Sequence, residues 1–279
     1  MGSVESTEGP RDEVRGARQS SVVDYRVDGR AAYLILDSPH NRNALSTALI
    51  AQLHQGLRDA AADPRVRLIV LGHTGGTFCA GADLGEAAGG STDPESAAVE
   101  RAGEMTTLLR AIVECPLPVV GVIDGHVRAG GMGLVGACDI VVAGPRSTFG
   151  LTEARIGVAP SIISLTLLPK LTARAAGRYY VTGETFSAAE AVAAGLVTIA
   201  VPESGAVPGV VAGLIDSLGK GSPQGLAASK SLTTATILAG FDRNAERLTQ
   251  ESARLFVSAE AREGMLAFLQ KRPPSWVGP

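Results

Sequence analysis

Apolar positions along the chain fall into two repeating patterns. Short apolar runs typical of buried strands occur at 66–71, 119–123 and 140–143, and glycines follow the first two closely. Longer stretches with apolar residues every three or four positions predict helices, such as one that begins after Ser46 as its N-cap and ends near Ala62. Strands that alternate with helices in this way predict an α/β fold whose strands are covered on both faces.

The two ends of the chain differ from this middle part. Residues 1–20 are polar and charged, and we predict a flexible tail there. Helical patterns dominate after Glu153, so we predict an α/β core at 21–200 and a helical region at 201–279. The remaining predicted elements are strands at 22–27 and 31–37 joined by a hairpin turn at Asp28-Gly29, a mobile loop at 85–96, a strand at 197–201, and helices at 97–114, 161–168, 173–181, 188–194, 207–218, 223–239, 244–256 and 259–270.

Charge and composition narrow the classes of function. The net charge is −3 and no block of like charges occurs, which argues against a nucleic-acid partner or a membrane-surface helix. No apolar run approaches the roughly 18 residues that a membrane span needs. The three cysteines and four histidines are scattered, which predicts neither a disulfide framework nor a metal site. We therefore expect a reduced, cytoplasmic protein without a metal.

The densest cluster of glycines lies at 125–136, directly after an apolar strand. Residues 131–136 fit the dinucleotide-binding pattern GxGxxG, but several residues separate this pattern from its strand. The acidic residue expected about 20 residues further on is also missing, because Asp139 comes too early and Glu153 does not follow a strand tip. A nicotinamide or flavin site is therefore disfavoured.

A pair of glycine-rich turns suggests a different chemistry. Residues 80–82 and 129–131 each follow an apolar strand and precede a predicted helix. Backbone N–H groups at such places lack helical partners and can together bind an oxygen that gains negative charge. With Glu153 as a proton carrier, the two turns suggest enolate chemistry. Glycine-rich turns are also common as purely structural features, so this pattern leaves the question open.

The order and spacing of several motifs resemble the crotonase superfamily, the enoyl-CoA hydratases and isomerases, from about Val23 to Trp276. The motifs are Arg42-Asn43-Ala44-Leu45-Ser46, Phe78-Cys79-Ala80-Gly81-Ala82-Asp83-Leu84, the turn 124–131, Cys138-Asp139-Ile140, 149–157, 183–188, 191–197 and the C-terminal stretch 263–272. This resemblance implies a spiral of β-β-α units and a helical C-terminal trimerisation region. It also implies an acyl-CoA thioester as substrate, with coenzyme A as part of that substrate and no separate cofactor.

The resemblance also implies roles for individual residues. The N–H groups of Ala82 and Gly130 would form the oxyanion hole, and Glu153 would be the catalytic carboxylate. The residues implied along coenzyme A are Arg42, Ala80, Leu84, Phe256 and Lys271. The last two would act either within the subunit or on a neighbouring subunit of a homotrimer or a dimer of trimers.

The chain departs from the family pattern at one position. Typical hydratases have two catalytic glutamates, and the first of them falls on Gly133. Residues 155–164 resemble the branch of methylglutaconyl-CoA and related short-chain hydratases, which also has glycine there. Gly133 would then make room for a bulkier acyl chain, or reflect loss of catalysis.

Three functions follow as alternatives. The first is an enoyl-CoA hydratase that adds water to a 2-trans-enoyl-CoA. The second is an enoyl-CoA isomerase in which Glu153 moves a proton between two carbons. The third is a protein that binds acyl-CoA without catalysis.

Several residues also have a structural interpretation. Glu153 would be an acid at a helix N-terminus that interacts favourably with the helix dipole. Ala82, Gly130 and Gly131 would serve packing alone. We expect Asp83 to cap a helix, Cys79 to be an inert core thiol, and His126 and Asp139 to be structural. Glu86 remains an alternative source of a second carboxylate.

Overall fold

The structure, a computed structural model, describes residues 21–87 and 93–278, so the predicted tail at 1–20 lies outside the described residues. The strands are β1 Val23–Asp28, β2 Ala31–Leu36, β3 Leu68–His73, β4 Thr77–Cys79, β5 Val119–Ile123, β6 His126–Arg128, β7 Ile140–Ala143, β8 Thr148–Gly150, β9 Thr185–Ser187 and β10 Ile199–Ala200. The helices are α1 Thr47–Ala62, α2 Leu84–Ala87, α3 Pro94–Glu114, α4 Gly130–Ala137, α5 Ser164–Leu167, α6 Ala173–Thr182, α7 Ala188–Ala194, α8 Val207–Gly219, α9 Pro223–Phe256 and α10 Ala259–Leu269.

The strands form two sheets, which together confirm the predicted α/β class. The larger sheet has the order β1-β2-β3-β5-β7-β10 and is parallel apart from the antiparallel hairpin β1–β2. The smaller sheet has the order β4-β6-β8-β9, in which only β9 is antiparallel to its neighbour. Because β3, β5 and β7 each continue into β4, β6 and β8, the chain climbs as a spiral of strand pairs.

The larger sheet is covered on both faces. Its main core cluster packs with α1 and α3 and includes Leu34, Leu53 and Leu108, all of which are buried. The other face packs against α8 through a second cluster that includes Val120 and Val211. Aliphatic side chains fill both layers, as a parallel sheet buried on two sides requires.

The predicted boundaries hold best where a local signal marks them. Ser46 caps α1 by accepting a hydrogen bond from Leu49 N at 3.2 Å, and β5 and β7 have the predicted bounds. The strand predicted at 66–71 lies two residues later, the strand at 197–201 shrinks to β10, and the helix at 161–168 shrinks to α5.

The C-terminal part contains one long helix where two were predicted. Residues 223–256 form the single helix α9, although the sequence suggested a break around Gly240. A glycine inside a helix costs about 1 kcal/mol relative to alanine. The side chain of Phe241 is buried in the core, and this packing offsets the cost and keeps the helix continuous.

The loop predicted at 85–96 is in part helical. Helix α2 occupies 84–87, and α3 begins at Pro94 because the side chain of Asp93 caps it by accepting from Ser96 N at 3.1 Å. Residues 88–92, which also belong to that prediction, lie outside the described residues.

A buried ion pair joins α9 to the larger sheet. Lys230 Nζ lies 2.8 Å from Asp139 Oδ2 and donates to Ile112 O at 2.9 Å and Leu117 O at 3.0 Å. Asp139 Oδ2 also accepts from Val119 N at 2.8 Å. The predicted structural role of Asp139 is confirmed, whereas no pattern in the sequence pointed to Lys230. Within the described ranges, no helix is both long and apolar enough to cross a membrane.

Candidate active site

The two glycine-rich turns meet in space. Gly81 has a φ of +95°, and a Cβ added to it would lie 3.3 Å from the backbone N of Gly130 and 2.8 Å from Ala129 Cβ. A Cβ added to Gly130 would in turn lie 3.5 Å from Gly81 Cα. Both glycines are therefore needed for the close approach of the two backbones, and the approach brings Ala82 and Gly130 into one neighbourhood.

The N–H group of Ala82 stays outside the local strand pairing. Leu45 pairs with this segment through its N–H to Gly81 O at 2.8 Å and through its carbonyl, which accepts from Asp83 N at 3.4 Å. The residue between these two bonds is Ala82, and it is exposed. Its N–H is therefore available to a bound molecule.

The N–H group of Gly130 is available for a different reason. Gly130 is the first residue of α4, so this N–H has no acceptor within the helix. The preceding residue, Ala129, has φ 46° and ψ −121°, a backbone conformation that residues other than glycine rarely adopt. The Ala129 N–H donates to Gly150 O at 3.2 Å, which helps to hold the turn in this conformation.

A buried asparagine holds the loop that precedes these turns. Asn43 is fully buried, and its Oδ1 accepts from Ser38 N at 2.7 Å while its Nδ2 donates to Thr77 O at 2.8 Å. Arg42 beside it is exposed, has a φ of 59°, and accepts from Ala80 N at 3.1 Å through its carbonyl. The sequence marked Asn43 only as part of a motif, because the two carbonyl groups that its amide binds, those of Thr74 and Thr77, lie more than thirty residues away.

Glu153 lies just beyond the second glycine turn. Gly150, three residues earlier, is the acceptor that fixes Ala129, and Glu153 begins a single 3-10 turn that ends at Ile156. Its carbonyl accepts from Val158 N at 3.1 Å, so the following loop folds back over it. The side chain of Glu153 is 8% exposed, and Oε2 has no hydrogen-bond partner among the described residues.

Burial also changes the acidity of Glu153. Loss of water raises the pKa of its carboxyl group to about 7, and the hydrogen bond from its own backbone N–H only partly opposes this shift. A carboxyl group that titrates near neutral pH can accept and return a proton with similar ease. The environment of Glu153 therefore suits general acid–base chemistry.

The position of the absent glutamate is closed. A Cβ added to Gly133 would lie 2.5 Å from Ile163 Cγ2 and 3.1 Å from Leu109 Cδ1. The first atom of any side chain would overlap Ile163, so the expectation that Gly133 makes room for an acyl chain is wrong. Apolar side chains fill this space instead.

The other glycines of α4 also serve packing. A Cβ on Gly131 would lie 2.7 Å from Cys79 O, and one on Gly136 would lie 3.0 Å from the backbone of Thr166. The glycines are thus required for contact between α4 and its neighbours, which agrees with the rejection of a dinucleotide site.

Several other predicted residues have structural contacts. Asp83 accepts from Gly85 N at 2.9 Å and so caps α2, as predicted. Glu86 is exposed and accepts from Thr47 N at 3.0 Å, which makes it a cap of α1 rather than an evident second catalytic carboxylate. Burial raises the pKa of the Cys79 thiol to about 12, in keeping with an inert thiol. His126 is exposed and lies 2.8 Å from Thr148 Oγ1 through Nδ1.

The residues implied along coenzyme A are spread over distant elements. Leu84 begins α2 beside the first glycine turn. Phe256 ends α9, and Lys271 follows α10 in an exposed position with a φ of 54°. In the described part of the chain, no hydrogen bond or ion pair connects Phe256 or Lys271 with either glycine turn.

An open groove of about 540 Å³ lies elsewhere on the molecule. It runs between α8 and the face of the larger sheet that carries Val70 and Val122, with Arg26 and Arg146 among its lining residues. None of its lining residues belongs to the glycine turns or to the Glu153 turn. The groove is therefore separate from the site described above.

Comparisons with known proteins agree with this geometry. The family model described as enoyl-CoA hydratase/isomerase matches residues 28–279. A solved structure of an enoyl-CoA hydratase from Mycobacterium avium is 64% identical, with a TM-score of 0.85, and the match covers 93% of this chain and all of that one.

Curated relatives from other bacteria are more distant. The 2,3-dehydroadipyl-CoA hydratase of Escherichia coli is 29% identical over 250 residues, which cover 89% of this chain and 96% of that protein. A Thermus thermophilus protein with a provisional enoyl-CoA hydratase name is 34% identical over 249 residues, 88% of this chain and 97% of that one. The chain belongs to the enoyl-CoA hydratase/isomerase family.

Proposed function

We propose that this protein is an enoyl-CoA hydratase that adds water to 2-trans-enoyl-CoA thioesters. The observation that carries the proposal is a buried glutamate, Glu153, with a free carboxylate oxygen and a pKa of about 7, three residues after Gly150, whose carbonyl group binds the second of two N–H-bearing turns that meet. Membership of the hydratase/isomerase family and the names of the relatives support the same activity.

The thioester carbonyl would be bound by the N–H groups of Ala82 and Gly130. When a nucleophile adds to the β-carbon, negative charge moves onto the thioester oxygen. Two N–H groups held in place before the reaction stabilise that charge, and removal of one such donor typically costs about 10²- to 10³-fold in rate. The fixed turn at Ala129 and the close packing at Gly81 keep these donors in position.

Glu153 would handle both proton transfers. Its carboxylate removes a proton from water while the water oxygen bonds to the β-carbon, and an enolate forms. The protonated carboxyl group then gives that proton to the α-carbon, so one molecule of water is added and Glu153 returns to its starting state. With a pKa of about 7, the same carboxyl group can accept the proton and return it at neutral pH.

Coenzyme A would lie along the loop that precedes the first turn. In this proposal the carbonyl group of Ala80 accepts a hydrogen bond from coenzyme A, and Arg42 and Leu84 lie along the coenzyme A part of the substrate. Phe256 and Lys271 would contact it from a neighbouring subunit. The chemistry needs no cofactor besides the coenzyme A of the substrate.

We also infer a homotrimer, or a dimer of trimers, built through the region 201–279, with the acyl-CoA site in 21–200. The region 201–279 carries exposed apolar side chains that a neighbouring subunit would cover: Leu232 on α9, Leu266, Phe268 and Leu269 on α10, and Trp276 and Val277 after it. A solution mass of three or six chains, measured by light scattering, is expected, and a monomeric mass would contradict this inference.

The decisive experiment follows the absorbance of the conjugated thioester with crotonyl-CoA. We expect the wild-type protein to remove this absorbance, and Glu153→Gln to lower kcat by about 10²- to 10⁴-fold because general acid–base catalysis is lost. Glu246→Gln, which alters an exposed glutamate on α9, is the matched control and should keep full activity.

Other outcomes would point to the two alternative functions. Conjugation that appears from a 3-enoyl-CoA, without hydration of crotonyl-CoA, would identify an isomerase. Tight acyl-CoA binding with neither reaction would identify a binding protein. Full hydratase activity in Glu153→Gln would show that the assigned mechanism is wrong.

A further inference from the structure

Buried polar atoms without a partner are concentrated near Glu153. Across the described ranges, four buried side-chain nitrogen or oxygen atoms lack a hydrogen-bond partner: Arg67 Nε, Glu153 Oε2, Ser161 Oγ and Tyr180 Oη. Glu153 and Ser161 belong to one segment, residues 153–161. Tyr180 lies on α6, which packs against the start of that segment. Such atoms are rare in folded proteins, so a concentration of them calls for an explanation.

The end of α6 is fastened to the Glu153 turn. Arg155 Nε, two residues after Glu153, donates to Thr182 O at 3.2 Å. A Cβ added to Gly183 would lie 3.1 Å from Leu151 O, so the end of α6 contacts the chain both before and after Glu153. Tyr180 lies within one helical turn of this junction, and its ring packs against the core.

The hydroxyl group of Tyr180 keeps its proton, and the charge of Glu153 acts on it. Burial raises the pKa of Tyr180 well above its usual value, and the negative charge of Glu153 raises it further. The phenol therefore keeps its proton at neutral pH and remains a hydrogen-bond donor. Among the described residues, neither this donor nor Glu153 Oε2 has a hydrogen-bond partner, and the charge of Glu153 acts on the phenol.

Two unpartnered groups at one place need a polar molecule between them. A buried polar group left without a hydrogen bond destabilises the fold, and a small molecule that bonds to both groups would remove this penalty. Hydration requires a water molecule beside Glu153. The second carboxylate that other hydratases use has no room here, because Ile163 and Leu109 fill the space next to Gly133.

We propose that the Tyr180 hydroxyl group holds the attacking water together with Glu153, and so replaces the absent first glutamate. The water donates one hydrogen to Glu153 and accepts the hydrogen of the Tyr180 hydroxyl group. As the O–H bond of the water breaks and its oxygen bonds to the β-carbon, this donor stabilises the negative charge on the water oxygen. The proton passes through Glu153 to the α-carbon, and Tyr180 ends the cycle unchanged.

This inference rests on the proposed hydratase function, and its test separates the two. The variant is Tyr180→Phe, which keeps the ring and removes only the hydroxyl group. Because that group lacks a protein partner, the melting temperature should not fall. Tyr179→Phe is the matched control, since the ring of Tyr179 stacks on Phe186 at 3.9 Å and its hydroxyl group is not among the unpartnered buried atoms.

Two reactions are measured in each variant. The first is hydration of crotonyl-CoA, which needs the attacking water. The second is exchange of the α-protons of butyryl-CoA in D₂O, followed by NMR, which needs Glu153 and the bound carbonyl but no attacking water. We expect Tyr180→Phe to lower hydration by about 10- to 100-fold, the loss of one hydrogen bond to a developing charge, and to leave exchange unchanged.

Other results would overturn the inference. Equal losses in hydration and exchange would mean that Tyr180 only positions Glu153, and no loss in either would mean that it has no role. If the wild-type protein exchanges α-protons but hydrates no enoyl-CoA, the proposed function itself fails, and the inference fails with it. Tyr179→Phe should match the wild-type protein in both reactions.

Discussion

Two buried carboxylates of this protein lie in opposite environments. Asp139 accepts from Val119 N and pairs with Lys230, and Lys230 satisfies two further carbonyl groups. Glu153 is buried as well, but it has no cationic partner among the described residues, and its Oε2 accepts no hydrogen bond. The first group is a closed network, and the second leaves hydrogen-bonding capacity unused.

The contrast separates structural polar groups from functional ones. A buried charge that is paired and hydrogen-bonded holds elements together, and its loss affects folding. A buried carboxyl group without partners destabilises the fold and keeps a shifted pKa, a combination that clusters at catalytic sites. One buried carboxylate, Asp139, thus holds α9 against the larger sheet, and the other, Glu153, is available for chemistry.

The closed network predicts the largest effect on stability. Lys230→Met should lower the free energy of unfolding by about 3–5 kcal/mol, because Asp139 and two carbonyl groups lose their partner in a buried place. Denaturant unfolding measures this change. Lys220→Met removes the exposed pair with Asp216 and should cost less than about 1 kcal/mol. Equal losses in the two variants would remove the distinction between the buried and exposed pairs.

The unpaired carboxylate of Glu153 predicts that its replacement by glutamine raises stability, by an amount that depends on pH. Burial raises the pKa of Glu153 from 4.5 to about 7, so ionisation above pH 7 destabilises the folded state by about 3 kcal/mol. Below pH 4.5 the group is protonated in both states and this cost disappears. Glu153→Gln should therefore be more stable than the wild-type protein at pH 8 and equal to it near pH 4.

Thermal or denaturant unfolding at several pH values checks the sign of this effect. A stability difference that does not change between pH 4 and pH 8 would mean that Glu153 is not buried with a raised pKa. The hydratase assay on the same variant then shows whether the stabilised protein is also the inactive one, as the comparison implies.

A smaller effect is expected at the closed glutamate position. Gly133→Ala should lower the free energy of unfolding by about 1–3 kcal/mol, since its Cβ would overlap Ile163 Cγ2. Gly240→Ala is the control, because no atom lies within 4 Å of the added Cβ and an alanine should stabilise α9 by about 0.5–1 kcal/mol. A stable Gly133→Ala variant would mean that the position is open to a second carboxylate.

Sequence reasoning succeeded where a feature depends on neighbours along the chain. The hairpin between the first two strands, the cap at Ser46 and the alternation of strands with helices all follow from local patterns, and the structure confirms them. The turn of the hairpin lies one residue later than predicted, at Gly29-Arg30, because Asp28 still pairs with Ala31. It failed where packing outweighs a local preference. Helix α9 continues through Gly240 because Phe241 is buried, and the three-residue strands β6 and β9 pair only within the folded sheet.

The family resemblance, rather than pattern alone, identified the site residues, and their roles remain predictions. It named Ala82, Gly130 and Glu153, and the structure adds how close packing at Gly81 brings the two turns together. Lys230 and Tyr180 escaped notice because nothing near them in sequence marks their partners. Asn43 was seen only as one letter of a motif, although it holds a loop through distant carbonyl groups.

The sequence by itself determined the family, the α/β class and the absence of a glutamate at Gly133, since these are properties of residue identity, order and spacing. Only the tertiary structure decided what that absence means. Whether a glycine leaves open space or is filled depends on which distant side chains reach it, and here they are Ile163 and Leu109. The pKa of Glu153 is decided in the same way, because water is excluded by residues far apart in the chain.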